Sequence, residues 1–452
     1  MFKTGSAVVL PGGRTVRILL TDTYTRSVVA IDAPFGSDDF VNLTGEGGEG
    51  ESGSGSGSFP LEARIFSGLA SERRWMGGKH GRGCRRKGGK IREPHWHGLC
   101  PSDPDPELVT DEAADADTGA DVRWGWPKGI VSIPGTMLAL VCDAQGGQGP
   151  LRVLDVLTGG VHSAVVHPRH PTEGHTKKKL LKCHSLAVDR ARDPNGPNGW
   201  SDTMHVYMSV FSGGHDIKVC KWNETGIIGW RDVPVSDFDR RAIPSISLDG
   251  AGGTTAPTVL FRKIIDTETG SMLGLAVANL TGEVHAGSKK NLFVFDGFRS
   301  SPDLPLTTDD HEARGPKATF ADQKNTSFHG VQFGRGDVAV AVSRRMHRMI
   351  KTQAPGQEWH QCPQLGFEGV CYHTGDSVQM KSPHGIFLLP VPEDDEYIVA
   401  DAVVVNDEVD IGLALDRWTL RETVGGGSYN LTVQNITAAF VWPQSTPRFD
   451  QQ

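Results

Sequence analysis

Apolar residues in this chain come in short runs, and turn residues bound nearly every run. "TVRILLTD" and "RSVVAID" follow one another near the start, and "MLALVCD", "LRVLDV", "VAVAVS", "IFLLP" and "YIVADA" repeat the plan further on. Helical periodicity, with apolar positions three and four apart over a long window, is almost absent, so these runs predict strands. Many are apolar at consecutive positions. A strand with one wet face alternates, whereas a strand buried on both faces need not. With Gly at 56 and Pro at 27 as punctuation, the chain reads as all-β with frequent turns.

A longer rhythm overlies the short one. "SPHGIFLLPVPEDDEYIVADA" (382–402) holds a Pro-x-Gly, an apolar strand, a proline, and a second strand ending near an aspartate. "WPKGIVSIPGTMLALVCDA" (126–144) and "TGSAVVLPGGRTVRILLTDT" (4–23) share that plan. Aligned so, Pro11, Pro134 and Pro390 correspond, as do Asp22, Asp143 and Asp401. Weaker copies stand at 183–211, 244–263 and 328–343, which puts unit starts near 5, 128, 184, 245, 329 and 384. Six units of roughly four strands predict a six-bladed β-propeller; a pair of β-sandwiches is the competing architecture. Residues 1–34 are expected to supply the first propeller strands, 35–125 a long disordered and charged insertion, and 126–452 the remaining blades. Closure is expected between strand 5–10 and the C-terminal "SYNLTVQNITAAFVW".

The strand pairs resemble those of NHL-type six-bladed propellers. "SPHGIFLLPVPEDDEYIVADA" is similar to their Pro-x-Gly-Ile start and tyrosine-valine-alanine-aspartate second strand, and "ILLTDTYTRSVVAID" to the Asp-x-x-x-x-Arg-hydrophobic run that follows. The resemblance implies four-stranded blades whose first strands line a central channel.

Three unit starts carry histidine: His184 in "CHSLAV", His329 in "FHGVQF" and His384 in "PHGIFL". The other three carry Gly5, Lys128 and Ser245. If all starts share one rim, the histidines approach a common axis, and three neutral imidazoles with an open fourth position make a catalytic zinc arrangement. The layout resembles that of the peptidyl-hydroxyglycine amidating lyases, which implies a zinc ion on His184, His329 and His384. Here the three fall in units three, five and six, whereas the family spaces them more evenly. The plainer alternative is that each histidine caps a strand or bonds a neighbouring carbonyl. Further histidines at 162, 167, 170 and 175, and His95 and His97 in "PHWHG", are weaker metal signals.

Residues 35–125 break the rhythm. "GEGGEGESGSGSGSF" reads as flexible linker. A basic block at 71–92 contains Arg73, Arg74, Arg82, Arg85, Arg86 and Lys87, and an acidic block follows at 102–121. Opposite blocks can pair with each other or with further copies of the chain, and the basic one can hold an acidic polysaccharide by counterion release. Asp115, Asp117 and Asp121 loosely match a calcium loop without the full EF-hand pattern. The net charge of −8 gives no reason to expect nucleic acid. No apolar run reaches membrane length, so no helical membrane span is expected.

Of ten asparagines, six sit in Asn-x-Ser/Thr: Asn42, Asn223, Asn279, Asn325, Asn430 and Asn435. Chance predicts about one or two, so N-linked glycans and a secreted or lumenal location are expected. "MFKTGSAVVLPGGR" has no apolar signal core and reads as a strand, so the signal lies upstream, has been removed, or the sequons are unused. Seven cysteines suit an oxidising compartment. Cys362 and Cys371 bracket a short loop, and Cys84 and Cys100 could staple the insertion; Cys142, Cys183 and Cys220 lie in strand-like runs. No Walker A, Gly-x-Ser-x-Gly, His-Glu-x-x-His or dinucleotide fingerprint occurs. Three functions follow: an extracellular binding or assembly protein that meets other proteins or its own copies, a metal-dependent lyase or hydrolase, and an NHL-type adaptor in the cytosol.

Overall fold

The computed structural model describes residues 2–23, 26–35, 61–68, 124, 126–143, 151–165, 183–201, 203–210, 217–223, 262–265, 272–288, 291–297, 299–300, 317–321, 328–343, 348–351, 372–373, 383–391, 395–406, 413–422 and 429–441. These residues form strands, turns and two single 3-10 turns, at Pro197–Gly199 and Arg335–Asp337.

The strands fall into six consecutive antiparallel meanders of four. The first is β1 (Phe2–Val9), β2 (Thr15–Asp22), β3 (Ser27–Pro34) and β4 (Leu61–Ser67). The second is β5 (Pro127–Ser132), β6 (Leu138–Asp143), β7 (Leu151–Asp155) and β8 (Val161–Val165). The third is β9 (Cys183–Asp189), β10 (Thr203–Val210), β11 (Ile217–Asn223) and β12 (Arg262–Ile265). The fourth is β13 (Met272–Val277), β14 (Val284–Ser288), β15 (Asn291–Phe295) and β16 (Ala318–Ala321). The fifth is β17 (Phe328–Phe333), β18 (Ala339–Ser343), β19 (Arg348–Lys351) and β20 (Tyr372–His373). The sixth is β21 (Pro383–Leu388), β22 (Ile398–Asn406), β23 (Leu413–Glu422) and β24 (Tyr429–Val441).

The first strands of the meanders touch in a cycle: β1 packs on β5, β5 on β9, β9 on β13, β13 on β17, β17 on β21, and β21 on β1. That is a β-propeller. The apolar cores confirm the wheel, because each lies between two neighbouring meanders. Ile18 and Leu20 of β2 pack toward Phe387 and Val403 of the sixth meander, while Leu19 between them packs toward Ile130 and Val141 of the second. Period-two alternation therefore divides one apolar run between two interfaces, and this is why "ILL" has no polar position. Full burial of such side chains stabilises by about 1.5–3 kcal/mol each. Two stacked sandwiches would give two cores, not a cycle of them.

The repeated proline and glycine have separate causes. Pro11 and Pro134 open the turn after an innermost strand, where Leu10 N–H donates to the Thr15 carbonyl (2.8 Å) and Ile133 N–H to that of Leu138 (2.9 Å). The glycine of Pro-x-Gly lies where innermost strands approach most closely. A Cβ on Gly385 would stand 2.3 Å from the Lys3 carbonyl oxygen and 2.9 Å from Thr4 Cα. Asp22 and Asp143 share a place, opposite Phe2 and Pro127, but Asp401, aligned with them in the sequence, stands toward the other end of its strand beside Leu389, and Asn406 faces Pro383. Both Asp143 and Asp401 are buried: Asp401 receives a two-pronged ion pair from Arg417, with Nη2 to Oδ2 at 2.6 Å, and Asp143 pairs with Arg152.

Three expectations need correction. The fourth meander begins with β13, whose Leu273–Gly274 takes the place assigned to Ser245. Ser245 lies outside the described residues, and "RKII" after it is the outer strand β12 of the third meander. Leu61–Ser67, assigned to the insertion, is instead β4. Its Leu61 and Ala63 alternate into the core beside Ile31, a period-two signal too short to stand out among low-complexity neighbours. Lastly, among the described residues β1 has its β-ladder with β2 alone, and the C-terminal strand β24 runs parallel to β4. The wheel closes by packing of β1 on β21 and by this outer strand pair, and no single sheet runs around it.

Candidate functional site at the channel mouth

Each innermost strand presents the residue before its close-approach glycine to the axis. In register these are Lys3, Lys128, His184, Leu273, His329 and His384, with Thr4 and Ser185 standing for the glycine in the first and third meanders. Gly5, set against the histidines in the sequence, therefore lies two residues past that position and corresponds to Ile130. The three histidines do converge: His184, His329 and His384 line one cavity with Lys3, Lys128 and Gln332. The His329 and His384 ring centroids are 4.6 Å apart at 71°, and those of His184 and His384 are 6.5 Å apart and nearly parallel.

Backbone carbonyls set the tautomers. The Nδ1–H of His184 donates to the Leu273 carbonyl at 2.9 Å, and that of His384 to the Lys3 carbonyl at 3.2 Å. A ring nitrogen facing a carbonyl must carry the proton, so Nε2 of each neutral ring keeps its lone pair. In His384 that lone pair accepts from Lys3 Nζ at 3.1 Å. The carbonyl-bonding alternative weighed for the histidines thus holds for two of them.

The site is electropositive. Burial pushes the His184 imidazole well below its ordinary pKa, and Lys128, His329 and Lys3 push it the same way against its bond to Leu273. The ring is neutral at pH 7. Lys128 is 5% exposed, and its Nζ stands 4.3 Å from the Trp126 ring centroid. Among the described residues lining the cavity there is no Asp or Glu. Lys128 was legible as a unit start, and Lys3 was not, because Thr4 stands where four other innermost strands carry glycine.

A neutral imidazole whose Nδ1–H is held by a carbonyl is the form that binds metal through Nε2. In tautomer, His184 and His384 fit a zinc ion. In position, among the described residues, no group of three or more His, Cys, Asp or Glu side chains is gathered closely enough to hold one.

A disulfide that the sequence did not pair joins Cys142 of β6 to Cys183 of β9, and both residues are wholly buried between the second and third meanders. It is compatible with an extracellular protein, and among the described residues no helix is long and apolar enough to cross a membrane. Of the sequons, Asn223 ends β11, Asn430 and Asn435 lie on β24, and Asn279 sits in the exposed β13–β14 turn. There Asp337 accepts from the Leu280 and Thr281 N–H groups at 2.9–3.0 Å. Asn42, Asn325, Cys84, Cys100, Cys362, Cys371, Asp115, Asp117, Asp121 and the basic block from Arg73 to Lys87 lie outside the described residues.

No family model matches this chain, and neither does any curated protein. Among solved structures it is similar to a chain of the mitotic checkpoint complex, at 11% identity over 70% of this chain and 86% of that one, with a TM-score of 0.32. It is similar to streptogramin B lyase at 10% identity over 69% and 83%, also with a TM-score of 0.32.

Proposed function

We propose that the chain is a secreted, N-glycosylated β-propeller that acts as an extracellular binding or assembly protein. Its partners are other extracellular proteins, further copies of itself or an acidic polysaccharide, and its channel mouth is a binding site. The observation that supports this reading is the buried Cys142–Cys183 crosslink between neighbouring meanders, a bond that persists in oxidising compartments. The six sequons agree with it. The test is the intact mass of the secreted chain before and after glycosidase, with free thiols counted without reductant. A mass drop and a protected Cys142–Cys183 pair are expected. Unmodified asparagines with both thiols free end the reading and favour an adaptor in the cytosol.

A metal-dependent lyase or hydrolase is the second reading, favoured by the carbonyl-anchored Nδ1–H groups of His184 and His384. To hold Zn²⁺, His184, His329 and His384 would have to stand closer together than they do here; the ion would then polarise a carbonyl or acidify a bound water. Calcium, the other ion weighed, would fall to Asp115, Asp117 and Asp121. Elemental analysis separates the readings: no stoichiometric metal, or the same metal content in His384→Ala, ends the second.

A further inference from the structure

We infer that the channel mouth binds a small oxyanion group, a carboxylate or an inorganic-phosphate-like end, between Lys3 and Lys128 and against His184, His329 and His384. This rests on the reading of the mouth as a binding site, and it names the ligand class.

Charge carries the argument first. Two ammonium groups and three imidazoles from the first, second, third, fifth and sixth meanders share one cavity whose described lining has no carboxylate. A divalent cation meets repulsion there, while an anion meets positive charge on several sides in a partly dry site, where Coulomb interaction is strong. Size comes next. The cavity holds about 20 Å³, room for roughly one or two water-sized atoms. It admits the oxygens of an oxyanion group and excludes a whole sugar ring or peptide, so a larger ligand enters by its anionic end alone.

The donors are of the right kind. Lys3 Nζ already makes a hydrogen bond inside the cavity, to His384 Nε2 at 3.1 Å, and an arriving oxyanion can share that ammonium. Lys128 and the three imidazoles line the same cavity as Lys3.

The test titrates the full chain with sodium acetate, phosphate and sulfate at constant ionic strength, with and without EDTA, by calorimetry and thermal shift. Saturable 1:1 binding is expected for at least one anion. Lys128→Met keeps the packing on Trp126 and removes the charge, and it should weaken binding about 10-fold or more. Lys3→Met serves the same purpose if Lys128→Met does not fold. Loss of all three anions' binding in the wild type, unchanged binding in both lysine variants, or binding abolished by EDTA overturns the proposal. The last outcome would assign the anion to a bound metal. Missing glycans would sink the secretory reading and leave this one standing, so the two failures are distinct.

Discussion

His184 and Leu273 are joined across a blade boundary: the imidazole on β9 donates its Nδ1–H to a carbonyl on β13 at 2.9 Å. One hydrogen bond thus fixes a tautomer, aims a ring at the axis and ties two meanders together. His384 repeats the device between β21 and β1. The same side chains serve the wheel and its mouth, and through them stability depends on pH.

The sign of that dependence follows from His184. Its pKa in the folded chain lies well below 6.5, first from burial and then from Lys128, His329 and Lys3. On acidification the unfolded chain takes up this proton first. Stability from this group is whole above about pH 6.5 and is lost as pH falls toward the folded value. His184→Asn keeps a donor near Nδ1 and does not titrate. Urea midpoints measured from about pH 7.5 to about pH 5 should fall more steeply for the wild type than for His184→Asn. Parallel curves would refute the assignment.

Gly385 should not tolerate a side chain. Its Cβ would meet backbone, the Lys3 carbonyl oxygen at 2.3 Å and Thr4 Cα at 2.9 Å, and backbone cannot rotate away as a side chain can. Gly385→Ala should cost about 2 kcal/mol or more, and it should disturb the neighbouring His384. Gly12→Ala is the control. Its φ is +97°, yet nothing lies within 4 Å of its Cβ, so it carries backbone strain alone, about 1 kcal/mol. Chemical denaturation of the two variants ranks them.

Much of this was legible because the wheel repeats its own devices. Pro-x-Gly records a close approach and a turn, and the burial of a strand on both faces records neighbours on both sides. Those signals place His184, His329 and His384 at one mouth, where the three line one cavity. The fourth meander was misplaced because "MLGLAVAN" has no proline and puts Leu273 where others have histidine or lysine. Lys3 escaped notice since the alignment set Gly5 against histidine, two residues out of register. Cys142 and Cys183 are 41 residues apart in sequence. Only the packing of β6 on β9 makes them neighbours, and spacing carries no trace of that.

The Cys142–Cys183 bond closes a loop of that length, so it restricts the unfolded chain and should stabilise the fold by roughly 3–4 kcal/mol. The double variant Cys142→Ala/Cys183→Ala should lower the denaturation midpoint, and reductant should then have no further effect through this bond. Wild-type protein whose midpoint is unmoved by reductant, with both thiols shown to be reduced, would contradict the expectation.

Asp401 and Arg417 test whether a buried ion pair holds a blade or merely occupies it. Both side chains are 5% exposed, the guanidinium meets the carboxylate through Nε at 2.9 Å and Nη2 at 2.6 Å, and Thr419 Oγ1 donates to the same carboxylate at 3.2 Å. Removing one partner leaves a buried charge without its opposite, which costs about 3–5 kcal/mol. Removing both takes away the desolvation cost along with the attraction, so Asp401→Leu/Arg417→Met should lose much less than the two single variants added together. A double-mutant cycle by urea denaturation should therefore be non-additive by about 1–3 kcal/mol. Additive losses would mean that the two groups act independently, and the burial of Asp401 would need an explanation other than its arginine.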